Sequence, residues 1–262
     1  MTKALILDCD GVLADTERDG HLVAFNQAFT ELGLPFQWSE QEYDGLLKVG
    51  GGKERMLAYL AQHPEIDLGS DEDKAAKVAE VHKLKSKLYV ELVEAGKLPG
   101  RPGVKRLIES ALDDGWQVAV ASTSATKSVE AVLAAVVGPM TRARMEGVWA
   151  GDIVPAKKPA PDIYLMTLRE LGRTADEAVV IEDSESGAKA AAAAGIRHIV
   201  TVSSFTTRDP FPAASAVVSN LGEPGEPAEF LAGVDLRHDG VIDLESLRAA
   251  VASTPAPRAA TA

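Results

Sequence analysis

The sequence predicts an α/β protein: a doubly wound parallel sheet with an all-helical segment inserted near its start. Three observations carry that prediction. Short continuous apolar runs alternate with helical periodicity from residue 99 onward. The first apolar run, at residues 4–7, is cut off from the rest by residues 16–98, which hold no run of that kind. Several of the runs also end in polar residues, and the carboxyl ends of parallel strands are where such sheets gather ligands.

Taken in order, Ala4-Leu-Ile-Leu7 has no polar alternation, as expected of a strand buried on both faces. Leu22, Phe25, Phe29 and Leu32 then recur at helical spacing until Gly33 and Pro35 stop them. Further helices are predicted at about 40–48, 53–62 and 72–95. After Pro99-Gly-Arg-Pro-Gly103, helices are predicted at 103–114, 126–137, 160–172 and 184–194. Strands are predicted at 116–121, 147–150, 178–181, 197–202 and 215–218. Residues 1–15 and 99–221 thus form the core and 16–98 the helical insert. Residues 222–262 are expected to be a partly disordered extension that catalysis can spare, since 250–262 is rich in Ala, Thr and Pro. Within it, Asp235–Asp243 reads as an Asp-Gly turn. A calcium loop would want an oxygen ligand where Arg237 stands and Glu where Ser246 stands.

Composition excludes some function classes. The 262 residues carry a net charge of −12, which disfavours nucleic acid and anionic membrane faces as partners. It does not disfavour a phosphorylated ligand, because a local field can oppose the global one. No run approaches the roughly 20 apolar residues that span a bilayer. The single cysteine, Cys9, allows no internal disulfide and no thiolate metal cluster. The opening residues lack a secretory leader pattern, so a cytoplasmic protein is expected, or one of the plastid stroma if the chain is a trimmed organellar form. A monomer is expected.

Four features carry chemistry. Asp8-Cys9-Asp10-Gly11 follows the first strand, and paired carboxylates suit Mg²⁺, a hard cation that takes oxygen ligands. Ser122-Thr123-Ser124 follows the second strand with hydroxyls and amides suited to phosphate oxygens. Lys158 stands before Pro159 as a fixed cation. Glu182-Asp183 follows the 178–181 strand with more oxygen ligands. Each is ordinary alone: an acidic turn, a helix cap, a surface lysine, an N-cap with acids in its first turn. Four in this order on alternating strands are not. In the insert, Gly50-Gly51-Gly52-Lys53 is not a nucleotide loop, since Leu47 and Glu54 occupy the places of its glycine and hydroxyl residue. A glycine turn with amides open to a phosphate, beside Lys53 and Arg55, fits better. His63, His198 and His238 belong to no pattern and read as structural.

The core constellation resembles the haloacid dehalogenase (HAD) superfamily, whose members share a DxDG strand end, a Ser/Thr strand end, a Lys-Pro and an acidic pair. The resemblance covers about 1–221, with the helical insert matching that superfamily's cap. Asp15-Thr-Glu17-Arg-Asp-Gly-His21, Gly51-Gly52-Lys53-Glu-Arg55 and His82-Lys-Leu-Lys85 are similar to the CbbY proteins, especially the plant and cyanobacterial type. Bacterial members carry one residue fewer before the matching histidine.

The resemblance implies a phosphatase. Asp8 would attack phosphorus and form an aspartyl-phosphate, with Asp10 as general acid and then base. Mg²⁺ would be held by Asp8, the Asp10 carbonyl and Asp183, with Glu182 nearby. Lys158 and Ser122 would bind the transferring phosphoryl group, with Thr123 and Ser124 beside it. Lys53, Arg55 and Lys85 would take a distal phosphate, flanked by the Gly51-Gly52 turn and His82, and Glu17 and His21 the sugar hydroxyls. The expected substrate is xylulose-1,5-bisphosphate, which such enzymes convert to xylulose 5-phosphate to clear a Rubisco inhibitor formed beside the Calvin cycle. The alternatives are a β-phosphoglucomutase-like phosphomutase and a promiscuous small-metabolite phosphatase, such as one acting on phosphoglycolate.

Overall fold

The computed structural model describes residues 2–49 and 51–253. The chain divides into two compact units, one running to Asp15 and resuming at Pro99, the other spanning Thr16–Leu98.

The first unit is built on seven strands: β1 (Ala4–Leu7), β2 (Gln117–Ser122), β3 (Gly147–Ala150), β4 (Ala178–Glu182), β5 (Arg197–Thr201), β6 (Ala216–Val218) and β7 (Phe230–Gly233). Their order is β3-β2-β1-β4-β5-β6-β7, and among the described residues only β7 runs antiparallel. Every residue of β1 and β4 is buried, which is why neither shows polar alternation. The chain steps outward from β1 through β2 to β3, then returns to the other side of β1 for β4. That reversal opens a crevice at the carboxyl end of β1. Asp8, Ser122 and Glu182 all stand at the ends of three adjacent strands there.

The second unit is helical: a π-helical segment (Thr16–Leu22) runs into α1 (Val23–Glu31), followed by α2 (Glu40–Leu46), α3 (Gly52–Gln62) and α4 (Asp71–Glu94). Local chemistry sets two of the starts. Ser39 with Glu42 and Ser70 with Asp73 form reciprocal capping boxes ahead of α2 and α4. Phe25, Phe29, Trp38, Tyr43 and Tyr59 are buried and stack on one another as the unit's core.

In the first unit the sheet is covered by α5 (Val104–Asp113), α6 (Thr126–Arg142), α7 (Asp162–Leu171), α8 (Glu185–Ala193) and α9 (Leu244–Ala252). Ile6, Ala119 and Val180 pack against Ile163, Leu168 and Ala190 of α7 and α8. α6 is broken at Gly138, whose φ of 81° and ψ of 163° are not helical, so its first part ends at the predicted residue 137 and a second helical stretch runs from Pro139 to Arg142.

Residues 222–253 correct the sequence-based expectation. They are not a separable extension. β7 pairs with β6, and α9 buries Leu247, Ala250 and Val251. Arg106 of α5 donates to the carbonyls of Leu221, Gly222 and Ile242 at 3.1, 2.8 and 3.0 Å. Arg197 of β5 holds the Ser253 carbonyl at 2.9 Å. Residues 250–252 are helical, and 254–262 lie outside the described residues. The Asp-Gly turn is as expected: His238 and Val241 exchange both backbone hydrogen bonds around Asp239 and Gly240, whose φ values are 50° and 80°.

Candidate active site

The core site starts from the end of β1. The Asp8 amide donates to the Ile181 carbonyl at 3.0 Å, so the ladder with β4 carries through to this residue. The chain then turns at Gly11, whose φ is 73°. A side chain there would also collide with the neighbouring carboxylate, because a Cβ on Gly11 would stand 2.0 Å from Asp183 Oδ2. Gly187 does the same for Glu182, whose carboxylate lies flat against the first turn of α8. These two glycines let both acids of the β4 end reach the β1 end.

Lys158 joins the strands. Its Nζ donates to Asp8 Oδ1 at 2.7 Å, to Glu182 Oε1 at 2.6 Å and to the Ala121 carbonyl at 3.3 Å. The Tyr164 hydroxyl donates to the same Glu182 oxygen, and the lysine sits 4.9 Å from the Tyr164 ring centre. Glu182 Oε2 accepts from the Asp183 amide at 3.1 Å. Glu182 is therefore chiefly the anchor of Lys158.

Asp8, Glu182 and Asp183 are all buried, with one carboxylate oxygen from each within 4.8 Å of the others. Three buried carboxylates set against the Lys158 ammonium, with the Arg101 guanidinium near Asp183, leave negative charge in excess out of water, a costly arrangement without a counter-ion. Burial, reinforced by Glu182 and Asp10 and opposed by Lys158, pushes the Asp8 carboxyl up to about 7. Burial, then Glu182 and Asp8, hold Asp183 well above the usual carboxylate range. Burial alone would lower Lys158, but Asp8 and Glu182 outweigh it and keep it charged. All-oxygen donors with a surplus of negative charge fit a divalent cation such as Mg²⁺.

The Asp10 carboxylate lies outside that group of three. It accepts a hydrogen bond from the Ser124 hydroxyl, so Ser124, expected among the phosphate-binding residues, is committed to Asp10. Ser122 is buried, and its hydroxyl accepts from the Ser124 amide at 3.2 Å. Thr123 is half-buried beside them. Cys9 sits between the two aspartates, and burial together with Asp10 and Asp8 holds its thiol protonated, so it offers no rival nucleophile.

The helical unit gathers the other expected residues into two buried clusters. In one, Arg55 Nη1 donates to the Tyr43 hydroxyl at 2.5 Å, which donates to Glu17 Oε2 at 2.6 Å, and Arg55 lies 3.6 Å from Glu17 itself. In the other, Lys85 Nζ lies 2.8 Å from His21 Nδ1 and about equally far from the Phe25 and Tyr89 rings, at 5.0 and 5.2 Å. His21 stacks on Tyr89 with ring centres 4.2 Å apart. Glu17 and His21 come from the π-helical segment, whose wider winding accommodates an extra residue per turn. A Cβ on Gly52 would stand 2.9 Å from the His82 ring, so the glycine turn leaves room for His82. Burial, then Lys85 and Lys53, lower the His82 pKa. Gly51 caps α3 at a φ of 89°, and Lys53 is exposed.

Tyr43 and Tyr164 were not singled out from the sequence. Each sits at an apolar position of a helix, where an aromatic residue reads as packing. Only their hydroxyl partners reveal the second role.

Comparison with known proteins agrees with this geometry. Residues 2–195 match the haloacid dehalogenase-like hydrolase family. A CBBY-like protein of Arabidopsis thaliana is 44% identical over 86% of this chain and 71% of its own length. The plasmid-encoded CbbY protein of Cupriavidus necator is 43% identical over 86% of this chain and 88% of its own. A CbbY variant from Rhodobacter sphaeroides, solved in complex with xylulose-(1,5)bisphosphate, is 37% identical with a TM-score of 0.71, covering 86% of this chain and 97% of that one.

Proposed function

Because the chain belongs to the haloacid dehalogenase-like hydrolase family and, within it, to the CbbY proteins, we propose that this phosphatase converts xylulose-1,5-bisphosphate to xylulose 5-phosphate through an aspartyl-phosphate on Asp8. The observation that carries the chemistry is the buried juncture at the ends of β1 and β4, where Asp8, Lys158, Glu182 and Asp183 meet.

Lys158 holds one oxygen of Asp8 and so fixes the line along which the other attacks phosphorus. Covalent capture splits one hard displacement into two easier ones. Asp8, Asp183 and the Asp10 carbonyl would hold Mg²⁺, with Glu182 at its edge, and the ion would screen the charge of the incoming phosphoryl group. Asp10 gives a proton to the departing sugar oxygen and later takes one from the attacking water. Lys158 and the Ser122 hydroxyl meet the equatorial phosphoryl oxygens, with Thr123 alongside.

The helical unit supplies what a bisphosphate needs and a monophosphate does not. Arg55 and Lys85 are buried cations held in fixed geometry, supported by Lys53, the Gly51-Gly52 turn and His82. Glu17 and His21 are placed to meet sugar hydroxyls. No helix among the described residues is long and apolar enough to cross a membrane.

The test is Asp8→Asn. Turnover should vanish while Mg²⁺-dependent binding of xylulose-1,5-bisphosphate persists, and the wild type should release free phosphate. Full activity in the variant would sink the covalent scheme. Isomerised product without free phosphate would make the protein a mutase.

A further inference from the structure

Arg101 lies in the Pro99–Gly103 stretch after which the helix–strand alternation begins, and its guanidinium is one of the most heavily used groups in the core unit. Nη1 donates to the Gly11 carbonyl, to the Thr201 carbonyl at 2.9 Å and to the Thr201 hydroxyl at 3.3 Å. Nη2 donates to the carbonyls of Val202 and Ser219, both at 2.5 Å. Thr201, Val202 and Ser219 stand at the carboxyl ends of β5 and β6, where a parallel sheet leaves carbonyls without a strand partner. The planar fork of an arginine can satisfy several such carbonyls at once, which the point charge of a lysine cannot.

The Gly11 carbonyl belongs to the turn that carries Asp10. That turn is closed by the Gly11 amide on the Ala14 carbonyl at 2.9 Å, and the Arg101 amide in turn donates to the Leu13 carbonyl at 2.9 Å. Asp183 also packs against Gly11, closer than any side chain at that position would allow. The Asp10–Gly11 turn is therefore held both by its packing against Asp183 and by a guanidinium anchored to β5 and β6. We infer that Arg101 is a positioning residue for Asp10: it fixes the turn that aims the Asp10 carboxyl at the leaving oxygen. This rests on the proposed role of Asp10 as general acid.

The two ideas separate by choice of leaving group. Nitrophenolate leaves without a proton, whereas a sugar oxygen needs one. The value of kcat/KM reports only the steps up to loss of the leaving group. The quantity to measure is the ratio of kcat/KM for xylulose-1,5-bisphosphate to that for p-nitrophenyl phosphate, in wild type, Asp10→Ala, Arg101→Lys and Arg101→Met. General acids contribute about 10²- to 10⁴-fold, so Asp10→Ala should lower the ratio by at least about 10²-fold and the Arg101 variants by about tenfold or more, with Lys milder than Met. If Asp10→Ala lowers the ratio and neither Arg101 variant does, the positioning role is overturned and the phosphatase reading stands. If Asp10→Ala leaves the ratio unmoved, the acid role fails and takes this inference with it. Equal loss on both substrates in the Arg101 variants, or failure of both to fold, assigns Arg101 to stability alone and overturns the proposal. Should only Arg101→Met fail to fold, Arg101→Lys decides.

Discussion

The two units handle charge in opposite ways. In the core, Asp8 and Glu182 pair with one lysine and Asp183 lies beside them, their side chains placed by strand ends that the sheet locks in register. In the helical unit, the buried charges of interest are cations, each leaning on aromatic rings: Arg55 on Tyr43, Lys85 on Phe25 and Tyr89. A surplus of negative charge draws a metal ion and makes a nucleophile. A braced cation makes a selective anion site without needing a metal. Under the proposed function, bond breaking belongs to the core and substrate choice to the helical unit.

Four experiments would break or sharpen that contrast, from the largest expected effect to the smallest. Deleting residues 222–253 should unfold the core unit, because it strips β7 from the sheet edge and α9 from its packing. Circular dichroism and activity should be lost together. Lys158→Met should lower kcat by about 10³-fold with little change in substrate affinity, since it removes a charge aimed at the transferring group. A comparable rise in KM instead would blur the division between the units.

Substitutions in the helical unit should do the reverse. Arg55→Met and Lys85→Met should raise KM for a sugar bisphosphate by about 10- to 100-fold, in line with the 1–3 kcal/mol of a charge-assisted hydrogen bond. They should leave kcat/KM for a small monophosphate within about twofold of wild type, a difference too small to count as lost transition-state binding. The smallest effect concerns metal and pH. Asp8 ordinarily titrates near 3.8 and is pushed to about 7 in the fold, so the fold favours its neutral form. In metal-free protein that contribution to stability is complete below the unfolded value and is lost as pH rises through about 7. Mg²⁺ binds the ionised form, so it should raise Tm more at about pH 8 than at about pH 5.5, by a few degrees. An equal shift at both values would contradict the carboxylate site.

Much of the core was legible because its signals are local. Apolar runs at 4–7 and 178–181 each end in acids, and 118–121 ends in hydroxyls, so strand, strand end and chemistry share a few consecutive residues. The tail was not legible for the same reason reversed. β7 is a four-residue edge strand with three exposed residues, and its short apolar run, Phe230-Leu-Ala232, follows a Gly-, Pro- and Glu-rich stretch that reads as loop. α9 hides its three-residue apolar stripe in an alanine-rich stretch that resembles a disordered end. Lys158 was expected as a cation at the phosphoryl group, though not its pairing to Asp8. The Ser124–Asp10 bond, the Tyr43 bridge between Glu17 and Arg55, and the Arg101 clamp were not, because each joins residues far apart in sequence and no spacing rule announces a carbonyl or hydroxyl partner. The π-helical winding of residues 16–22 is similarly invisible, since Leu22 is the segment's one apolar side chain and leaves no periodicity to read.

The central claim is that a core built for phosphoryl transfer is paired with a helical unit built for a second phosphate. Phosphate release should therefore be measured across xylulose-1,5-bisphosphate, ribulose-1,5-bisphosphate, fructose-1,6-bisphosphate, phosphoglycolate and β-glucose-1-phosphate under identical conditions. The account predicts the highest kcat/KM for xylulose-1,5-bisphosphate, with both monophosphates well below it. Equal rates across the panel, or a monophosphate in first place, would contradict it.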